Sequence, residues 1–253
     1  MDFTNKVCIV TGAGGGIGKA IVKEFYDSGA LIALVDIKGL EAVVRDLELD
    51  ENRILCLTDT ITEEDRVEHI ISSVVERFGR IDVLVNTAGI CGKYQMTADF
   101  DFDNFKNIYA VNVFGTFLMT KHTIPVMKAQ GGGAIVNFAS ISGMTGYKYE
   151  AAYGSSKWAV IGMTKVAAKE YGRDGIRVNC VSPGIADTDM LTFTLESYRK
   201  DFGAVNPEAT LTAGPIPRAA DPSEVAKVVA FAASDYACYV TGANLVVDGG
   251  KLM

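Results

Sequence analysis

Tyr153 and Lys157, in the stretch "AAYGSSKWAV" (151–160), are a tyrosine and a lysine four residues apart. On a helix such residues share one face about 5–6 Å apart. Ionising a free phenol at pH 7 costs roughly 4 kcal/mol. An ammonium about 5 Å away returns on the order of 3 kcal/mol at an effective dielectric near 20. Such a pairing would go most of the way to making Tyr153 a usable general acid–base. The same pair is also common on exposed helix faces, so the residues around it must decide.

Ser140 closes the apolar run "AIVNFAS" (134–140), where its hydroxyl can donate to a substrate carbonyl while Tyr153 handles the proton. Asn112, in "YAVNVFG", falls inside a long helical pattern, an unfavourable place for asparagine without a specific partner. "NTAG" (86–89) ends another apolar run with a polar turn. The loop "TGAGGGIGKA" (11–20) follows the first strand-like run and opens the first helix. Glycines there let backbone N–H groups approach a pyrophosphate, although a tight strand–helix turn uses glycine too. The spacing is TGxxxGxG, which meets the GxGxxG pattern only in part. Asp36 ends the second run, 18 residues beyond Gly18, where a carboxylate can accept hydrogen bonds from an adenosine ribose. It would repel a 2′-phosphate, and Lys38 is the only cation nearby, so NAD is expected over NADP.

Seven apolar runs, 6–11, 31–36, 53–58, 81–86, 134–140, 176–182 and 243–249, have strand length. They are near-continuous rather than alternating, as in strands covered on both faces. Helical patterns lie between them at 17–28, 40–48, 63–78, 102–128, 151–171 and 222–234. Thr62 and Asp221 are the expected N-caps of two of these helices, the second with Pro222 at its first position and Glu224 at its third. Alternating strands and helices predict an α/β fold, one doubly wound domain over 1–253 with a mostly parallel sheet. The segment 185–218 holds three of the six prolines and no clear period, and is expected to be a substrate-binding lid.

A net charge of −7 without a basic cluster argues against nucleic acid as a partner, and no apolar run reaches membrane-spanning length. The N-terminal stretch lacks secretory-signal features, so a cytoplasmic protein is expected. The five cysteines form no CxxC pair, which argues against a disulfide framework or a thiolate metal site. Cys8, Cys56 and Cys180 read as buried thiols, whereas Cys91 follows a glycine loop near the candidate site. His69 and His122 are the only histidines, each in a helical stretch, so histidine nucleophilic catalysis and metal hydrolysis have little support.

Taken in order, "TGAGGGIG", "NTAG", Asn112, Ser140, "YGSSK", "PG" (183–184) and "VVDGG" (246–250) resemble the short-chain dehydrogenase/reductase family over essentially the whole chain. The resemblance implies a Rossmann-type domain and hydride exchange between a nicotinamide cofactor and a carbonyl or alcohol carbon. It implies that Tyr153 is the general acid/base and that Ser140 polarises the carbonyl. Lys157 would lower the Tyr153 pKa and hold the nicotinamide ribose, with Asn112 keeping a water behind it. Gly12, Gly16, Ile17 and Gly18 match the pyrophosphate turn, and Asp36 with Ile37 the adenosine ribose. Asp59 and Thr60 match the adenine site, Asn86, Ala88 and Gly89 the cofactor floor, and Pro183, Gly184, Ile185 and Thr188 the carboxamide segment. A homo-oligomer, a tetramer, is implied as well. Thr87 and Ser155 depart from the more frequent residues of the pattern without removing a group that the chemistry needs.

The resemblance places substrate contacts at Ser142, Met144, Tyr149, Met190 and Leu191. Apolar residues at 190–198 point to a small-molecule secondary alcohol or ketone, apolar or cyclic and possibly hydroxysteroid-like. Polyol or sugar oxidation and 3-oxoacyl reduction are the alternatives, and outside catalysis a non-catalytic NAD-binding sensor.

Overall fold

Val7 and Ile9 face one side of the first strand while Cys8 and Val10 face the other, and all four are fully buried. This double burial runs through the centre of the sheet. The computed structural model describes residues 1–203, 209 and 214–253. Its strands are β1 (Val7–Thr11), β2 (Leu31–Asp36), β3 (Ile54–Thr58), β4 (Val83–Asn86), β5 (Gly133–Phe138), β6 (Ile176–Pro183) and β7 (Asn244–Val247). They form one sheet in the order β3-β2-β1-β4-β5-β6-β7, and every pairing is parallel. Parallel neighbours need crossovers, supplied by α1 (Gly16–Asp27), α2 (Leu40–Asp46), α3 (Glu64–Phe78), α4 (Phe102–Tyr109), α5 (Thr116–Gln130), α6 (Ala151–Tyr171) and α8 (Pro222–Ala233), with α7 (Asp189–Phe202) following β6.

One core joins Ile21, Val22 and Phe25 of α1 to Val225 and Val229 of α8 across the sheet residues Val10, Leu34, Val85 and Val136. The other gathers Val67, Ile70 and Val74 of α3 with Met119 and Met127 of α5 over Ile9, Val35, Leu84 and Val178. The chain order reverses direction between β1 and β4, and the carboxyl ends of the strands open there into a crevice.

Four expectations need correction. The pattern 102–128 is not one helix: a wide π turn, Ala110–Gly115, separates α4 from α5 and carries Asn112. Thr62 does not cap α3, whose N-cap is Glu63; the Thr62 hydroxyl instead pairs with Thr60 Oγ1 at 2.8 Å. Cys56 is exposed because β3 is an edge strand, with Leu55 and Leu57 half-buried and Cys56 and Thr58 turned to solvent. Within 185–218, the stretch Asp189–Phe202 is helical, while 204–208 and 210–213 lie outside the described residues. Asp221 makes the anticipated capping box with Glu224, with Pro222 beside it. No described helix is long and apolar enough to cross a membrane.

Candidate active site

A cleft of about 510 Å³ runs along the carboxyl edge of the sheet, from Asp36 and Thr60 at one end to Met190 and Tyr198 at the other. Its first end is made mostly of backbone. Gly12 has φ +66°, and a Cβ on it would lie 2.8 Å from the Ala88 backbone. A Cβ on Gly18 would come within 2.0 Å of the Gly12 carbonyl, so the β1–α1 turn closes only with glycine at these two positions. The helix begins at Gly16 and directs its unpaired N–H groups and dipole toward the cleft, a setting that favours a pyrophosphate. Asp36 stands at the tip of β2. Its Oδ2 accepts from Gly14 N–H at 2.9 Å and its Oδ1 from Ile37 N–H at 2.7 Å, fixing the carboxylate at the rim. Ile37, 67% exposed, and Ile61 with Val111 offer apolar surface for an adenine ring. Asp59 also lines the cleft, but its carboxylate is held by the Arg66 guanidinium at 2.6 and 2.7 Å and by Thr60 N–H. The glycine cradle, the rim carboxylate and the length of the cleft fit a nicotinamide dinucleotide.

Midway, the first residues of α6 bring Tyr153 and Lys157 to the cleft wall opposite Ser140, which follows β5. Ser140 Oγ accepts from Ser142 N–H at 3.1 Å, and its side chain acts to lower the pKa of the Tyr153 phenol across the cleft. Lys157 is 4% exposed; its Nζ donates to the Phe138 carbonyl at 2.9 Å and stands 5.6 Å from the Tyr153 ring centre. The two side chains share a face, as their spacing predicts, but burial changes the expected balance of charge. Desolvation pushes the Tyr153 phenol well above its ordinary value, against the lowering effect of Ser140, and lowers Lys157 to about 8. At neutral pH this arrangement holds a proton on Tyr153, ready to be donated to a carbonyl oxygen.

Asn112 is fully buried behind this pair rather than in the cleft. Its Oδ1 accepts from Ile90 N–H at 2.9 Å, and its Nδ2 donates to the Ile90 carbonyl and to Ser156 Oγ, both at 3.0 Å. A Cβ on Gly89 would sit 3.3 Å from both Asn112 Oδ1 and Lys157 Nζ. The π turn thus ties the segment after β4 to α6. Asn86, expected on the cofactor floor, does not line the cleft. Its Nδ2 donates to Asn137 Oδ1 at 2.9 Å and Thr120 Oγ1 at 3.2 Å, because the side chain of the last β4 residue points across to β5. Thr87, Ala88 and Gly89, one turn further on, do line it.

Pro183, Gly184, Ile185 and Thr188 carry the wall from the end of β6 to α7. The Thr188 side chain lies against the glycine loop, 2.7 Å from where a Cβ on Gly16 would stand. Met190 and Leu191 line the far end of the cleft with Ser142. Met144 and Tyr149 do not. Met144 ends the short turn Ile141–Gly143 with its sulfur 3.2 Å from Asn244 Nδ2, and Tyr149 adopts a left-handed backbone with φ 72°. That reversal brings Tyr147 and Glu150 to the cleft in their place. Sequence reasoning also missed Tyr94, Thr194 and Lys251, and it singled out Cys91, now on the wall. Tyr94 carried no spacing signal; its hydroxyl pairs with Thr194 Oγ1 at 2.8 Å and joins the segment after β4 to α7. Outside the cleft, Glu64, Glu68 and His122 gather within 4.8 Å, but Lys121 also pairs with Glu64, which makes this a surface ion-pair cluster of α3 and α5.

Comparison with known proteins agrees with this geometry. A family model described as enoyl-(acyl carrier protein) reductase matches residues 12–251. Levodione reductase of Leifsonia aquatica is 36% identical over 258 residues, covering 98% of this chain and 95% of its own. The 3-oxoacyl-(acyl-carrier-protein) reductase FabG of Thermotoga maritima is 37% identical with full coverage of both chains. Among solved structures, NAD+-bound xylitol dehydrogenase superimposes with a TM-score of 0.92 at 35% identity, over 99% of this chain and 100% of that one. The chain belongs to the short-chain dehydrogenase/reductase family, oxidoreductases that exchange a hydride between a nicotinamide cofactor and an alcohol or ketone carbon.

Proposed function

We propose that this chain interconverts secondary alcohols and ketones with an apolar, cyclic body, using NAD rather than NADP. The observation that carries the reading is the cleft itself: Asp36 fixed at one end, the Tyr153–Lys157–Ser140 group at the middle, and an apolar, aromatic chamber of Leu191, Leu195 and Tyr198 beyond it. NAD, when bound, supplies the carbon that gives or takes the hydride. Gly12, Gly16, Ile17 and Gly18 receive the pyrophosphate, and Asp36 accepts from the adenosine ribose while repelling a 2′-phosphate. Thr60 and Ile37 bound the adenine site, and Ala88, Gly89 and the 183–188 wall hold the nicotinamide end. Ser140 donates to the substrate oxygen and Tyr153 transfers its proton at that oxygen. Lys157 holds the nicotinamide ribose and favours the ionised tyrosine, while Asn112 positions the backbone behind it.

In this reading α7 is the lid over the substrate chamber. The apolar residues left exposed on α4, the π turn, α5 and α6, namely Phe102, Phe114, Phe117 and Trp158, support a homo-oligomer, and we take the assembly to be a tetramer. The test is reduced-cofactor formation from steroid, cyclic, short-diol and sugar alcohols with NAD and NADP side by side. Turnover of a cyclic alcohol with kcat/KM at least tenfold higher for NAD is expected. A preference for NADP, or for sugar alcohols over cyclic ones, overturns it.

A further inference from the structure

The substrate chamber is not uniformly apolar. Glu150 lies three residues before Tyr153, at the N-cap of α6, yet its carboxylate makes no capping bond to the helix. Burial raises its pKa and the nearby Ser142 side chain opposes that rise, while Oε2 is buried with no hydrogen-bond partner among the described residues. A buried acceptor left unmatched is costly, by about 1–3 kcal/mol or more for a charged group. Tyr149, just before it, holds a left-handed backbone, a strained conformation for a bulky residue, and that strain aims Glu150 at the cleft. Both features are unfavourable to stability and both converge on one carboxylate beside the reacting centre.

Lys251 is the second polar member of this pocket. It comes from the far end of the chain, after the turn Asp248–Gly250, and lines the same chamber. Burial raises the Glu150 pKa and lowers that of Lys251; Ser142 and then Lys251 oppose the first shift, and Asp248 and then Glu150 oppose the second. A substrate carboxylate here can accept from Lys251 but meets repulsion from Glu150, and an ammonium meets the converse. A hydroxyl suits this mixed wall, since it can donate to a carboxylate oxygen such as Glu150 Oε2 and accept from an ammonium such as that of Lys251.

Building on the proposed alcohol oxidation, we propose that Glu150, with Lys251, is a specificity-determining site for a second hydroxyl next to the reacting carbon, so that the preferred substrates are diols or hydroxyketones on an apolar frame. Glu150 touches a substrate group that does not react, which separates its role from that of Tyr153.

The test compares substrates that differ only in that hydroxyl, cis-1,2-cyclohexanediol against cyclohexanol and meso-2,3-butanediol against 2-butanol, with NAD and the full chain. The intact protein is expected to favour the diol of each pair by roughly 10- to 100-fold in kcat/KM, the factor that one hydrogen bond to a charged group supplies. Glu150→Leu should collapse that ratio towards one, chiefly through KM for the diol. Glu150→Gln, which keeps an acceptor, should restore part of it, and Lys251→Met should remove a smaller share. Equal turnover of diol and mono-alcohol by the intact protein overturns the inference while leaving alcohol oxidation standing. So does a Glu150→Leu variant that loses the same factor on both substrates, because Glu150 is then structural. Silence on every alcohol with either cofactor overturns the proposed function and this inference with it.

Discussion

The two ends of the cleft are built from different materials. At the nucleotide end, glycine backbone, strand tips and a helix terminus make the surface, and the fixed carboxylate of Asp36 stands at its rim. At the substrate end, side chains from four separate parts of the chain converge: Tyr94 after β4, Glu150 before α6, Leu191 to Tyr198 on α7, and Lys251 near the end. A backbone-made surface is fixed by topology and tolerates no Cβ at its closest points. A side-chain surface can be rewritten one residue at a time. The family can therefore share a cofactor grip while its members differ in substrate, and in this chain the boundary between the two regimes runs through Tyr153 and Lys157.

Removing the Tyr153 hydroxyl should have the largest effect, because the proposed mechanism gives it the proton and it belongs to neither end. Tyr153→Phe is expected to lower kcat by about 10²–10⁴-fold, the range of positioned acid–base catalysis. NADH binding, followed by fluorescence titration, should persist. Activity within tenfold of the parent would mean that another group moves the proton.

Lys157 carries the next effect, and the sign follows from its burial. Its folded value, about 8, lies below the 10.5 of an unhindered lysine. Below pH 8 both folded and unfolded chains hold this proton, and the buried ammonium costs stability. From pH 8 to 10.5 the unfolded chain still binds the proton that the folded chain has released, so this group's contribution to stability rises with pH. The full gap corresponds to on the order of 3 kcal/mol. Urea midpoints at pH 7 and 9.5 should show the parent gaining on Lys157→Met as pH rises. Parallel pH profiles for the two proteins would show that Lys157 stays charged across the range.

The unequal construction of the cleft also explains what the sequence disclosed. "TGAGGGIG" and Asp36 are legible because a turn that excludes a Cβ leaves glycine as its signature, and because a strand tip has a fixed place in a parallel sheet. Tyr153 and Lys157 are legible because helical spacing alone puts them on one face. Glu150 was invisible: its meaning depends on the φ of Tyr149, which no local pattern in "YKYEAAY" declares. α7 was read as irregular because none of its described residues is buried in the core, so its apolar side chains follow the cleft mouth rather than a 3.6-residue stripe. The π turn hid inside a helical pattern because it shifts the register by a single residue over one turn, without glycine or proline at Asn112. Asn86 was misplaced for the opposite reason: its position at the tip of β4 is right for the cofactor floor, but side chains alternate along a strand, and its own turns toward Asn137.

Asp36 sharpens the comparison from the nucleotide end. Asp36→Ala should weaken NADH about tenfold and reduce the preference over NADPH by at least that factor, since the hydrogen bonds to a charged acceptor and the repulsion of a phosphate are lost together. The KM for the alcohol should move much less. An unchanged cofactor preference would place selectivity elsewhere in the loop; a large rise in the alcohol KM would mean that the two ends are coupled through the glycine turn and Thr188, which touch at Gly16.

Tyr94 tests the substrate end with the smallest change. Its hydroxyl joins Thr194 Oγ1 at 2.8 Å, and its ring meets Tyr198 edge-on at 5.2 Å and Phe193 at 6.4 Å. These contacts tie α7 to the cleft wall. Tyr94→Phe keeps the rings and deletes one hydrogen bond of about 1 kcal/mol, leaving Thr194 its other bond, to the Met190 carbonyl. The expected result is a rise of about fivefold in the alcohol KM, with the NADH dissociation constant moving far less. A KM that stays put would mean that ring packing alone holds α7 down, and that the polar selectivity of the chamber rests on Glu150 and Lys251. A matching loss in NADH affinity would break the comparison itself, because a substrate-end hydroxyl would then be shaping the nucleotide grip.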